Sequence, residues 1–99
     1  MKLEIFAVLD VKADTFGQPF FMHNTNLATR SFSEACMNPE GEFNKYPLDY
    51  VMYKIGDYDD SIGKVQGHNP EEIMSAKSAI QMMVLNQKKR EKLNKGEEI

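Results

Sequence analysis

The apolar and polar positions of the chain change period several times, and each change marks an element. From Lys2 to Lys12 they alternate, with Leu3, Ile5, Ala7, Leu9 and Val11 on one parity and Lys2, Glu4, Phe6, Val8, Asp10 and Lys12 on the other. Side chains alternate across a strand, so this stretch predicts a strand with one wholly apolar face. Asp14 to Gly17 has turn composition, and Pro19-Phe20-Phe21-Met22 reads as an extended apolar segment that its proline keeps off the centre of a sheet. Its two adjacent aromatics must point to opposite sides. Asn24, Thr25 or Asn26 can cap a helix in which Leu27, Ala28, Ser31, Phe32, Ala35 and Cys36 form the apolar stripe. That helix should stop at Asn38-Pro39, because a proline disfavours a helical residue before it. Arg30 and Glu34 are spaced to pair on its exposed side. Glu40 to Pro47 is expected to be a loop pinned by Phe43 and Tyr46.

Asp49 to Val65 organises the rest. Tyr50 and Met52 would point one way, with Lys54, while Val51, Tyr53 and Ile55 point the other, so both faces are mostly apolar. Such a strand is expected at the centre of a sheet, covered on both faces or buried at a subunit contact. Gly56 allows a bulge or a close approach, and Asp59-Asp60-Ser61-Ile62-Gly63 has the turn chemistry for a hairpin returning through a short strand, Lys64 to Gln66. Asp57, Asp59 and Asp60 read as turn carboxylates, since their spacing is not that of an EF-hand loop. Gly67 to Glu72 resembles a helix start, with Asn69 as N-cap, Pro70 at the first helical position and Glu71 and Glu72 at the positive end of the dipole. Ile73, Ala76, Ile80, Met83 and Val84 or Leu85 would then form the stripe of a helix reaching Lys95. The resulting order predicts an α+β fold: a small antiparallel or mixed sheet with two helices, in the sequence strand, extended segment, helix, hairpin, helix. Residues 1–86 are expected to form a single α+β domain, and 87–99 a basic helical extension or frayed tail. The doubly apolar strand and the small chain predict a homodimer.

Composition narrows the chemistry. At 99 residues the chain suits one domain. No apolar run approaches the length of a bilayer span, and Met1 to Phe6 lacks a signal-peptide core, so a soluble intracellular protein is expected. Cys36 is the single cysteine and His23 and His68 the only histidines, which leaves no zinc set and points to a buried thiol. The chain has no P-loop, GxGxxG, HExxH, CxxC or GxSxG, so neither an enzyme nor a cofactor or metal site is expected. The net charge of −3 hides an asymmetry: Met1 to Ala76 carries six Lys or Arg against twelve Asp or Glu, whereas Lys77 to Lys95 carries six against Glu91 alone. Lys88, Lys89, Arg90, Lys92 and Lys95 exceed what a helix C-terminus needs to complement its dipole, and such a cluster suits either phosphate contacts or a solvated tail. An acidic body would confine a nucleic acid to that basic edge, and Phe20 and Phe21 are expected to pack in the core or an interface or, if one is exposed, to stack on a base or a partner subunit.

Several stretches, namely Lys2 to Lys12, Pro19-Phe20-Phe21, Ala28, Arg30 to Phe32, Pro47 to Tyr50, and Tyr53 to Gly63 with its Ile-Gly-Asp-Tyr-Asp, resemble a known family. They are similar to the small non-structural protein of gokushovirus-type microviruses, small icosahedral phages with circular single-stranded DNA. The resemblance spans Met1 to Val65, and Pro19, Phe20, Phe21, Arg30, Asp49, Tyr50, Gly56 and Asp59 match by position. It implies a protein made in the bacterial host cytoplasm, with a role in DNA synthesis or in the switch to single-stranded genomes, and it carries over no catalytic residue. The expected function is a DNA-replication accessory protein contacting single-stranded DNA through Lys88, Lys89, Arg90, Lys92, Lys95, Arg30, Phe20 and Phe21, without membrane contact. The alternatives are a protein-interaction module acting on host or phage replication machinery, or an internal scaffolding protein.

Overall fold

The computed structural model describes residues 1–97, with side chains described through position 92. The chain runs β1 (Lys2–Asp10), β2 (Thr15–Phe16), β3 (Phe20–Met22), α1 (Thr25–Cys36), α2 (Glu42–Lys45), β4 (Tyr50–Asp59), β5 (Lys64–Ser75) and α3 (Ala76–Glu97). All strand pairings are antiparallel. The sheet order is β2-β1-β4-β5, and β3 occupies the same edge of β1 as β2, opposite its N-terminal half. The fold is therefore α+β with an antiparallel, curled sheet and three helices, one more than the spacing predicts.

Cross-strand partners share a face, so the register sorts every strand residue. One face carries Phe6, Val8, Phe20, Met22, Tyr50, Met52 and Met74, and α1 and α3 close over it. Phe6, Ala28, Cys36, Met52, Ala76 and Ala79 are wholly buried there. The other face carries Leu3, Ile5, Ala7, Leu9, Phe16, Phe21, Val51, Tyr53 and Tyr58. No helix packs on it among the described residues; its cover is its own aromatic side chains, with Phe16 edge-on to Tyr53 and Phe21 edge-on to Tyr58. The central position of β4 agrees with the pattern of its residues, but helices cover one side only. Phe20 and Phe21 do point to opposite sides.

Local chemistry explains most boundaries. The Asn24 side-chain oxygen accepts from Leu27 N at 2.8 Å and caps α1. Asn44 Nδ2 donates to Cys36 O at 2.9 Å, closing the last turn of α1 from inside α2, a short helix where the sequence predicts loop. Phe43 wedges between Phe32 and Tyr50, with ring centroids 5.3 and 5.0 Å away. The Asp10 carboxylate accepts from Lys12 N and Ala13 N, and Asp14 takes φ 55°, which turns the chain early enough for Thr15 and Phe16 to form β2 rather than part of the turn. At the other hairpin, Asp59 Oδ1 accepts from Ser61 N at 3.0 Å, and Gly63 adopts φ 64°. The Ser61 hydrogen bonds hold the Asp59 carboxyl below its usual range. Asp57 lies outside that turn, within β4.

The largest correction concerns residues 69–75. The predicted N-cap at Asn69 and helix start at Pro70 are instead strand: β5 runs to Ser75, and α3 is capped there, with Ser75 Oγ accepting from Ser78 N at 3.1 Å. Glu71, Glu72, Met74 and Ser75 pair with Lys54, Tyr53, Met52 and Val51 of β4. A helix from Asn69 would have stripped those partners from the central strand, and the ladder outweighs a capping signal worth about 1 kcal/mol. Pro70 is tolerated because β5 is an edge strand and because three residues, His68 to Pro70, face Ile55 alone in an interruption of the ladder. At Gly56 the backbones of β4 and β5 come close together. A Cβ placed on this glycine would lie 2.6 Å from the Gln66 carbonyl oxygen, so only glycine lets the two strands approach this closely.

Candidate functional site

Beyond its first turns α3 leaves the body. Ala76 and Ala79 are in the core and Ile80 and Met83 are half-buried, but every described residue from Val84 to Lys92 is exposed. The sequence sustains a helix there without tertiary support because Met, Leu, Gln, Lys, Arg and Glu are good helix formers and neither Gly nor Pro interrupts it before Gly96. The radius of gyration, 16.1 Å, exceeds the roughly 13 Å of a compact chain of this length, in keeping with such a projection.

Lys88, Lys89, Arg90 and Lys92 stand on this arm, all exposed, and no ion pair among the described residues engages them. Lys95 falls on the α3 backbone, but its side chain lies outside the described residues. Lys88 and Lys92 share one side of the helix, being four residues apart, while Lys89 and Arg90 spread the charge around it. Contrast Lys54 in the body. Its ammonium lies 3.0 Å from Glu4 Oε1 and 3.4 Å from Asp57 Oδ1, and Thr25 Oγ1 donates to the second Glu4 oxygen. The hydrogen bond to Glu4 raises the Lys54 pKa, and the cation is already neutralised within the fold.

The structure separates the other predicted site residues from the arm. Phe20 is half-buried and stacks on Phe6 at 5.8 Å, so it is a core residue and its expected base contact is withdrawn. Phe21 is 47% exposed, but on the sheet face away from α3. Arg30 is exposed on α1, whose buried residues meet the Ala76–Ala79 turn of α3 rather than the arm. Its expected pairing with Glu34 is not among the ion pairs of the described residues.

Cys36 is enclosed, and desolvation pushes its thiol up to about 11, which suppresses the thiolate that nucleophilic chemistry would need. His23 is exposed, and His68 Nε2 stands 3.9 Å from Asp57 on the surface. An open apolar cleft of about 370 Å³ lies between β3 and α1, lined by Val8, Phe20, Met22, Phe32 and Phe43, with no titratable side chain in its wall.

The aromatic side of the open sheet face escaped the sequence reading. Phe16 falls inside the predicted turn at Asp14 to Gly17 and Tyr58 just before the predicted hairpin turn, and only the β1–β2 and β1–β4 registers align them with Leu9 and Leu3. The apolar parity of β1 was the available signal.

The chain is a two-layer α+β body with a projecting basic helix. The chain belongs to the Phage ORF5 protein family, whose model matches residues 3–79. It is thus a phage protein. The matched span takes in the five strands apart from Lys2 and ends at Ala79, before the arm's cations. No curated protein and no solved structure matches the chain. No helix among the described residues is long and apolar enough to cross a membrane.

Proposed function

We propose that this protein is a non-catalytic accessory factor of phage DNA replication, of the gokushovirus type, which contacts single-stranded DNA in the host cytoplasm and works as a homodimer. The observation that carries the reading is the arm: four solvent-exposed cations, Lys88, Lys89, Arg90 and Lys92, on a helix that projects from an acidic body. Phosphates bound along it release their counterions, and the net negative charge of the body disfavours binding there. Contacts of this kind position a strand without reading its bases, which suits a factor that acts along a whole genome.

The test is anisotropy of a labelled oligonucleotide across a salt series. Binding to single strands should weaken with a log–log slope of about −0.7 for each phosphate neutralised. The triple substitution Lys88→Gln, Lys89→Gln, Lys92→Gln should flatten that slope by roughly two and weaken all sequences alike. If the intact protein binds no single-stranded DNA at low salt, the reading fails. The protein-interaction alternative would then take its place, favoured by the aromatic face of the sheet, which carries no Lys or Arg in register.

A further inference from the structure

The two parities of β1 are used in an unexpected sense. Its wholly apolar side, Leu3, Ile5, Ala7 and Leu9, faces away from the helices, while the mixed side with Glu4, Phe6 and Val8 faces them. On the open side the register adds Val51, Tyr53 and Tyr58 from β4, and Phe16 and Phe21 from the short strands. Phe16 and Phe21 remain 41% and 47% exposed. No Lys or Arg stands in register on this face; the charge there is Glu72, opposite Tyr53. A polyanion would find no counter-charge on it, but a second apolar surface would meet no repulsion.

We infer that this open sheet face is where a second copy of the chain docks, face to face, making a β-sandwich across the dimer with the helices of each copy outermost. The inference rests on the homodimer in the proposed function and names its surface. Three further features favour a second copy in this geometry. Strands of nine and ten residues, in a sheet four strands wide, offer roughly 500 Å² of footprint per copy at ordinary strand spacings, so a pair buries on the order of 1,000 Å², the size at which interfaces become specific. The competing mode, edge-to-edge pairing through β5, is blocked by Pro70 and by the ladder interruption from His68 to Pro70. Finally, the charged residue in register on this face, Glu72, stands on the edge strand β5, so the part formed by β1 and β4 is uncharged and compatible with itself under a two-fold axis.

Sedimentation equilibrium on the full chain, from micromolar to hundreds of micromolar, tests this surface. The wild type should sediment at twice the chain mass of 11.4 kDa. The double variant Phe16→Glu, Phe21→Glu should raise the dissociation constant by roughly thirtyfold or more, as expected on losing a buried aromatic anchor, while its circular dichroism stays native. If the double variant does not fold, Val65→Glu reads the same face at a residue 60% exposed, in register with Tyr58. The triple arm substitution should leave the mass at the dimer value. Failure of DNA binding therefore leaves this readout unmoved. A wild-type monomer throughout the range, or a dimer unaffected by charge on this face, overturns the inference.

Discussion

The sheet has two apolar faces with opposite fates. On one, Phe6 and Met52 are wholly buried under α1 and α3; on the other, Ile5 and Ala7 are buried without a helix over them, and Phe16 and Phe21 stay nearly half exposed although the strand beneath them is the more consistently apolar side of β1. Apolar content therefore does not decide which face receives the helices. Short connections keep the helices where they start. The Asn24 cap follows Met22 of β3 almost at once, and Ser75 hands β5 directly to α3, so neither helix has a linker that could carry it round to the other face. What is left on the far side is a surface with core chemistry and no helix, held partly closed by two edge-to-face aromatic pairs.

The contrast is sharpened most by truncating one aromatic on each face. Phe6→Ala, at a residue with no solvent exposure, should destabilise the fold by about 3–5 kcal/mol in denaturant titration. Phe21→Ala should cost well under half of that in dilute solution, because much of its ring is already in water. Equal losses would mean that the open face is as closed as the covered one.

A second measurement, of intermediate size, is the alkaline limb of stability. Burial raises the Cys36 thiol to about 11, so the folded state holds its proton where the unfolded chain has begun to release it. The stabilisation is complete below the unfolded value of 9.0 and is lost as pH rises towards 11, by up to roughly 2–3 kcal/mol. Tyr50, pushed up to about 12 by its hydrogen bond to Glu42, extends the same trend. In Cys36→Ala the decline between pH 9 and 11 should be shallower, whatever the offset from the lost side chain. An unchanged slope would place the thiol in contact with solvent.

The smallest effect concerns the hand-over from β5 to α3. Ser75→Ala removes the acceptor for Ser78 N and should cost about 1 kcal/mol, whereas Asn69→Ala should change thermal stability by less than about 0.5 kcal/mol. The reverse order would restore the helix start at Asn69 and with it a shorter β5.

That last pair shows where sequence reading succeeds and where it stops. The strand from Lys2, the helix after Asn24 and the turn at Asp59 were legible because each is fixed by local periodicity or by a side chain bonding a nearby backbone group. The central place of β4 was legible from its two apolar sides. Residues 69–75 were not, since their strand identity depends on hydrogen bonds to Val51–Lys54, some twenty residues earlier, which no local pattern reports. The arm's cations could be read directly, because nothing packs on them and composition alone describes them. Phe20 and Phe21 could be assigned to opposite sides, but only the pairing of β3 with β1 says which side is inside.

The enclosure of Cys36 has one more consequence. It is the chain's only thiol, and it sits at the end of α1 beneath the Asn44 hydrogen bond and against the first turns of α3. A thiol reagent can reach it only when that helical layer lifts from the sheet. Its labelling rate in native buffer therefore clocks the breathing of the molecule at a single, naturally installed position, without tags or engineered probes, and a strand of DNA gripping the far end of α3 would register there as a change in tempo.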